Sequence, residues 1–154
     1  MSNLEIKKRM HKMLVTFSEL GTQYNLSFTS QEVLKHRIIG LDGLNRKLLV
    51  LSEIKGKYDW DIIELNEVKS CAVKMTYSMI IAGGLERKKL ADYLENIALE
   101  FEFKNGKPSI SLPFYSAALN PIFEMGELEE KAKGWETMLS KLLVKQDSHS
   151  GIAI

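Results

Sequence analysis

Cysteine is almost absent from this sequence, because Cys71 is the only one among 154 residues. One thiol cannot form an intramolecular disulfide and offers no pair of metal ligands, as is usual in a reducing compartment. No apolar run reaches the roughly 18 residues that a membrane-spanning helix requires. The segment Met1–Lys12 is too charged for a signal peptide. We therefore expect a cytoplasmic protein without redox chemistry.

The sequence also lacks a recognisable site for catalysis or for a cofactor. Its histidines show no metal-ligand spacing: His11, His36 and His149. Gly83-Gly84 has neither the spacing nor the lysine of a phosphate-binding loop. Asp59 and Asp61 share one face of a predicted strand, but acids beside a turn are commonly solvated rather than catalytic. We therefore predict no catalytic residue, no metal, no cofactor and no enzymatic activity.

Charge is nearly balanced over the chain but unevenly distributed along it. Residues 1–57 carry ten Lys and Arg against five Asp and Glu, and residues 58–154 carry eleven against fifteen. The amino-terminal part could therefore contact an anion, although a solvated surface is the commoner role of such residues. The candidate contacts for an anion or a membrane surface are Lys7, Lys8, Arg9, Lys12, Lys35, Arg37, Arg46, Lys47, Arg87, Lys88 and Lys89.

Apolar residues are plentiful, at 45% of the chain, and predict one domain over residues 1–144. At the beginning they recur at spacings of three and four, which predicts a helix over residues 1–21 that ends at Gly21. We favour packing of this helix on the chain's own strands, because barely two heptads are present for a coiled coil. The apolar stripe consists of Ile6, Met10, Met13, Phe17 and Leu20.

Strand-forming residues and short turns replace the helix formers from Leu26 onward. A short strand is predicted over residues 26–31, and a hairpin is predicted to join residues 37–42 to residues 46–51. A two-residue turn would set Ile39 opposite Arg46, whereas a four-residue loop would set Ile39 opposite Leu48 and bury both. We favour the longer loop.

Two further hairpins are predicted. One joins residues 60–65 to residues 68–75 around Asn66-Glu67 and makes Cys71 a small core residue. The other turns at Asn105-Gly106, a strong two-residue turn signal. Counting outward from this turn predicts inward-facing pairs of Phe101 with Ile110, Leu99 with Leu112, and Ile97 with Phe114.

A second helix is predicted over residues 127–144, with acids in its first turn and lysines near its end. Gly134 is costly inside a helix, so we expect a close approach to the strands there. Residues 145–154 are predicted to be a flexible tail. The helical stripe consists of Leu128, Ala132, Trp135, Leu139 and Leu142, and the predicted structural core includes Leu99, Phe101, Ile110, Leu112, Trp135 and Leu139.

The segment Met79–Asn96 connects the second and third predicted hairpins. We predict a strand extension followed by a surface loop or a short helix. An exposed apolar tip for a partner or a membrane surface is the alternative.

About seven strands in hairpins, followed by a helix that carries Trp135, resemble the pleckstrin-homology-like fold over residues 26–144. The resemblance implies two antiparallel sheets in a small barrel capped by the last helix. The predicted fold class is therefore α+β, with a seven-stranded antiparallel barrel or two packed sheets and a helix at each end. The lipid-binding members carry a dense basic motif on the first hairpin, and only a sparse version is present here: Lys35, Arg37, Arg46 and Lys47.

These features favour a non-enzymatic interaction domain that binds a protein partner. One alternative is peripheral association with an anionic membrane surface through the basic residues. A second alternative is a small molecule bound inside the barrel. Nucleic acid is disfavoured as a partner because no recognition helix or platform of exposed aromatic residues is evident. A homo-oligomer remains open.

Overall fold

A computed structural model describes residues 2–78 and 90–152 of the chain. These residues form a helix near each end and seven antiparallel strands in two sheets, which confirms the predicted α+β class. The chain divides into two compact units, Met1–Asn66 and Glu67–Ile154. The expectation of a single domain over residues 1–144 stays a prediction.

The first unit contains one helix and a four-stranded sheet in the order β1-β2-β3-β4. Each strand of this sheet is antiparallel to its neighbours. The elements are α1 (Asn3–Gln23), β1 (Ser30–Val33), β2 (Arg37–Asp42), β3 (Lys47–Ile54) and β4 (Lys57–Glu64). The helix therefore runs two residues past the predicted end at Gly21, and β1 begins later than predicted.

Helix α1 packs one face on this sheet. The hydroxyl oxygen of Ser2 accepts a hydrogen bond from the Glu5 N–H at 3.2 Å and so caps the first turn. Ile6, which belongs to the predicted stripe, remains 41% exposed. The buried cluster between helix and sheet consists of Met13, Phe17 and Leu20 from the helix and Ile38, Leu49 and Leu51 from the sheet.

The Phe28 ring lies between two glycines of this unit. It stacks on Phe17 with ring centroids 4.8 Å apart. A Cβ on Gly40 of β2 would lie 2.5 Å from Phe17 Cζ and 2.6 Å from Phe28 Cδ1, and one on Gly21 of α1 would lie 2.8 Å from Phe28 Cε2. Glycine therefore provides the space that the two rings occupy.

The β2–β3 hairpin has a four-residue loop, but the predicted register is wrong. Ile39 lies opposite Val50 rather than Leu48, because Asp42 still pairs with Lys47 and the loop comprises Gly43–Arg46. The buried Asp42 carboxylate holds this loop by accepting hydrogen bonds from the backbone N–H of Asn45 and from its side-chain amide, at 2.9 and 2.8 Å. Burial raises the pKa of Asp42, but hydrogen bonds from Asn45 and Ser27 outweigh it, and the net shift is downward.

The predicted hairpin of residues 60–65 with 68–75 is also wrong. Strand β4 instead pairs with β3 through a turn at Lys55 and Gly56, whose φ angles of 51° and 77° fit a two-residue type I′ turn. A short 3-10 turn, Leu65–Glu67, follows β4 and leads to a strand of the other sheet. The described strands therefore pair as separate sheets of four and three and do not close into the predicted barrel.

The second unit contains a three-stranded antiparallel sheet in the order β5-β6-β7 and the second helix. Helix α2 continues past the predicted end at residue 144, and no proline interrupts residues 122–154. The elements are β5 (Val68–Tyr77), β6 (Leu94–Phe103), β7 (Ile110–Ser116) and α2 (Met125–Ile152). Residues 79–89 of the segment Met79–Asn96 lie outside the described residues; its last part forms a 3-10 turn, Leu90–Tyr93, and the beginning of β6.

The β6–β7 hairpin confirms most of the predicted register. Phe101 lies opposite Ile110 and Leu99 opposite Leu112, as counted from Asn105-Gly106. Ile97, however, lies opposite Tyr115 rather than Phe114, because the register shifts by one residue between Ile97 and Ala98. A bulge of this kind leaves no sign in an apolar sequence pattern.

Helix α2 covers the three-stranded sheet with one apolar stripe. Its buried side chains up to residue 144 are Leu128, Ala132, Trp135, Leu139 and Leu143. Leu143 therefore takes the buried position that was predicted for Leu142. The expected close approach at Gly134 is wrong, since a Cβ there would meet no atom within 4 Å.

We expect Gly134→Ala to raise the free energy of unfolding by about 1 kcal/mol, because alanine removes the entropic cost of glycine in a helix interior. Urea denaturation measures the difference. Gly21→Ala is the matched control in α1, where the new Cβ would meet the Phe28 ring. A loss of stability in Gly134→Ala would contradict the open surroundings of this position.

Candidate interaction edge

The basic residues predicted to contact an anion do not form one surface in the first unit. Lys7, Lys8 and Lys12 lie on exposed parts of α1. Lys35 and Arg37 lie at one end of the β2–β3 hairpin, and Arg46 and Lys47 lie at the other, about 17 Å away at 3.3 Å per residue. Three of the predicted contacts lie outside the described residues: Arg87, Lys88 and Lys89.

Arg9 is held by its own unit rather than presented to solvent. Its Nη1 group donates to Glu53 Oε1 at 2.9 Å and to the Lys35 carbonyl at 3.1 Å, and it lies 3.3 Å from His36 Nδ1. The side chain is 20% exposed, and its buried Nε atom has no hydrogen-bond partner in the described part of the chain. Arg9 therefore joins α1 to the sheet instead of contributing to an open basic patch.

His36 makes the stability of this cluster sensitive to acid. Burial lowers the pKa of His36 below its usual value of 6.5, and the nearby Arg9 guanidinium lowers it further. The unfolded chain therefore binds a proton at His36 more readily than the folded chain does. We expect stability to be complete above pH 6.5 and to fall as the pH drops from there through the lowered pKa.

His36→Gln is expected to reduce this loss of stability in mildly acidic solution, as measured by denaturation midpoints at a series of pH values. The matched control is His11→Gln, because His11 is exposed on α1. If stability falls equally steeply with decreasing pH in His36→Gln and in the unmodified chain, His36 is not the group that causes the acid sensitivity.

Each sheet has two edges, and three of the four edges are short or obstructed. Strand β1 has only four residues. The outward N–H of Val73 on β5 donates to the Glu136 carboxylate of α2 at 2.6 Å. Strand β7 contains Pro113, which has no N–H to offer. These are ordinary ways of protecting sheet edges from other chains.

Strand β4 is the exception, because it is eight residues long and has β3 on one side only. The two residues that flank a two-residue hairpin turn exchange backbone hydrogen bonds, and here they are Ile54 and Lys57. From this pair onward, residues of β4 direct their backbone groups alternately towards β3 and away from it. The Leu65 N–H donates to the Arg46 carbonyl at 2.9 Å, which fits the same alternation. Odd-numbered residues of β4 therefore bond to β3, and even-numbered residues direct their backbone groups outward.

The outward backbone groups belong to Tyr58, Trp60 and Ile62, followed by Glu64 at the end of the strand. Within residues 2–78 and 90–152, no hydrogen bond to these N–H and C=O groups is present. We call the open side of Tyr58–Ile62 the β4 edge. It offers a row of donors and acceptors to another extended chain.

Two aromatic side chains flank the β4 edge. Trp60 is 45% exposed and Tyr24, at the end of α1, is 39% exposed. The Trp60 indole N–H donates to the Tyr24 hydroxyl oxygen at 3.4 Å, which fixes the two rings beside each other. Tryptophan and tyrosine supply much of the binding energy at protein interfaces. The sequence signal for this edge is the turn at Lys55-Gly56, because that turn pairs β4 with β3.

The second unit has a groove of about 710 Å³ between β5 and α2, lined by Cys71, Glu136, Thr137, Ser140, Lys141 and Val144. Burial raises the pKa of the Cys71 thiol to about 12, and the nearby Glu136 carboxylate contributes to the same shift. The thiol is therefore protonated at neutral pH, in which form it is a poor nucleophile.

Two further properties concern metals and membranes. Among the described residues, no group of three or more His, Cys, Asp or Glu side chains is arranged to hold a metal ion. Neither helix, over its described length, is long and apolar enough to cross a membrane.

Comparison with known proteins gives no relative from which a role could be transferred. No protein-family model, no curated protein and no solved structure matches this chain.

Proposed function

We propose that this chain is a non-enzymatic interaction module that binds an extended segment of a partner protein at the β4 edge. The observation that carries the proposal is the row of backbone groups at Tyr58, Trp60 and Ile62 that have no partner among the residues the structure describes. An extended peptide that pairs with such a row gains main-chain hydrogen bonds, and neighbouring side chains give it specificity. The exposed Trp60 and Tyr24 rings provide the apolar contact.

The pleckstrin-homology-like assignment belongs to the same proposal. It is supported by the order of the elements, which is four antiparallel strands, then three antiparallel strands, then a helix that carries Trp135. The proposed function rests on the β4 edge and not on this likeness, because one fold hosts many functions.

Selection from a random-peptide display library against the full chain tests the proposal. We expect enriched peptides that bind the unmodified chain, bind Trp60→Val more weakly, and fail to bind Trp60→Pro. Valine removes the aromatic ring but keeps the outward N–H, whereas proline removes both. Proline at an outward-facing position of an edge strand leaves the bonds to β3 in place.

The control variant is Phe123→Val, which removes an aromatic ring that is 82% exposed in the second unit. Thermal melts confirm that each variant is folded. The proposal would be overturned if no peptides are enriched. It would also be overturned if the enriched peptides bind Trp60→Pro with the same affinity as the unmodified chain.

The membrane alternative is tested in the same set of proteins. A lipid surface would be favoured if the chain co-sediments with anionic but not neutral liposomes and if salt weakens this binding. The binding should then fall in Lys7→Gln/Lys8→Gln/Lys12→Gln and stay unchanged in Trp60→Pro. We expect no such binding, because the described cations of the first unit are spread over α1 and over both ends of a hairpin.

A further inference from the structure

We infer that the partner segment of the β4 edge carries lysine or arginine at two alternate positions, with an apolar residue between them. This inference rests on the proposed strand addition at the β4 edge. It follows from two acids of β4, Asp59 and Asp61, which lie on the face of the sheet opposite to Tyr58, Trp60 and Ile62.

The two carboxylates are exposed, and no cation forms an ion pair with them within the described part of the chain. Asp59 lies opposite Ser52 and Asp61 opposite Val50 on β3, and neither aspartate forms an ion pair or a hydrogen bond through its side chain there. The basic side chain in the same row is Arg37, two strands away, whose Nε donates to Ser52 Oγ at 2.9 Å. Lys57 lies on the same face of β4, two residues before Asp59, and forms no ion pair in the described part of the chain. The negative charge of the β4 edge is therefore confined to Asp59 and Asp61.

A strand added beside β4 would place its own side chains directly across from these acids. Cross-strand neighbours lie about 5 Å apart, where opposite charges attract and like charges repel. The residues opposite Asp59 and Asp61 are two positions apart in the added segment, so both point to the acidic face. The residue between them points to the other face, beside the Trp60 ring. The recognised pattern is basic, apolar, basic.

The same acids disfavour a second copy of this chain as the occupant. An antiparallel pairing of two β4 strands that uses all the outward groups of Tyr58–Ile62 is centred on Trp60 of both copies. That register sets Asp59 of one copy opposite Asp61 of the other, and it does so twice. Charges on an edge strand commonly prevent self-association in this way, and here they leave the edge open to a cationic segment.

The experiment compares peptide selections on the unmodified chain and on the charge-reversed variant Asp59→Lys/Asp61→Lys. We expect peptides from the unmodified chain to be enriched in lysine and arginine at alternate positions. These peptides should bind the variant roughly tenfold more weakly, because two attractive pairs become repulsive. Selection on the variant should in turn enrich aspartate and glutamate at the same positions.

The matched control is Glu95→Lys/Glu130→Lys, which changes the net charge equally at exposed positions of the second unit. Equal weakening by the control and by the β4 variant would overturn the inference, because the effect would then follow net charge alone. Identical peptide composition from both selections would also overturn it. If Trp60→Pro abolishes peptide binding but Asp59→Lys/Asp61→Lys leaves it unchanged, the inference of a basic partner segment fails and the proposal of strand addition is retained. If peptides bind Trp60→Pro unchanged, strand addition itself fails.

Discussion

Phe101→Ala is expected to lower the free energy of unfolding by about 4 kcal/mol, within the range that such truncations of buried aromatic residues give. Phe101 is fully buried on β6, the central strand of its sheet, and lies opposite Cys71 on one side and Ile110 on the other. Removal of the ring leaves a cavity that strands paired on both sides cannot easily close. Urea denaturation followed by Trp135 fluorescence measures the loss.

Phe103→Ala is the matched control, because the same substitution two residues further on removes a half-buried ring at the end of the strand. It is expected to cost much less than Phe101→Ala. Equal losses in the two variants would contradict the placement of Phe101 in the centre of the core. Phe101→Leu should retain part of the stability, since leucine fills part of the space.

Gly40→Ala is expected to destabilise the first unit by about 3 kcal/mol, which is at the upper end of typical overpacking costs. The added methyl group would lie 2.5 Å from Phe17 Cζ and 2.6 Å from Phe28 Cδ1, and both rings are held by their mutual stacking. Neither ring can move without disturbing the packing of α1 on the sheet. Denaturation followed by Trp60 fluorescence measures the effect.

The control for Gly40→Ala is a double-mutant cycle with Phe28→Ala. If the two stacked rings cause the cost, Gly40→Ala should be less harmful once Phe28 is truncated, because one contact is removed and the Phe17 ring gains room to move. The two free-energy changes should then not add. Additive losses would show that Gly40 is sensitive for a reason other than the stacked rings and would contradict this explanation.

The two tryptophans of the chain also test the prediction of a single domain. Trp60 belongs to the first unit and Trp135 to the second. In Trp60→Phe and Trp135→Phe backgrounds, fluorescence reports one unit at a time. A single domain predicts that Gly40→Ala shifts both transitions by the same amount. A shift confined to the Trp60 signal would show that the units unfold separately.

The parts of the fold that the sequence predicted well are those with strong local signals. The Asn105-Gly106 turn and the alternation of apolar and polar residues around it fixed the pairs of Phe101 and Leu99, because a slip of one residue would expose every apolar side chain. The helix before this region and the helix after it followed from apolar spacing at three and four.

The misplaced elements lacked such signals. Ile39 and its neighbours on β2 and β3 are buried on both faces of the sheet, so a register shift of two residues leaves the apolar pattern unchanged. The β3–β4 turn depends on a positive φ at Lys55, which lysine rarely adopts, so Gly56 is the single residue of the turn that indicates it. Without that turn, β4 was assigned to the wrong partner strand.

The candidate site depended on the same missing information. An open edge is a property of strand order, and the sequence alone did not show that β4 ends its sheet. Asp59 and Asp61 have the spacing of paired catalytic acids, whereas in the proposed strand addition they lie opposite the bound segment. The basic residues drew the interpretation towards anions, although Arg9 is engaged within its own unit by Glu53 and by the Lys35 carbonyl.

The central claim, that the β4 edge is open for pairing, is tested most directly by amide hydrogen exchange of the free chain, resolved by residue with NMR. We predict that exchange alternates along the strand, with fast exchange at Tyr58, Trp60 and Ile62 and slow exchange at Asp59 and Asp61, whose N–H groups bond to β3. Slow exchange at Tyr58, Trp60 and Ile62 would contradict it, because those N–H groups would then already have a partner.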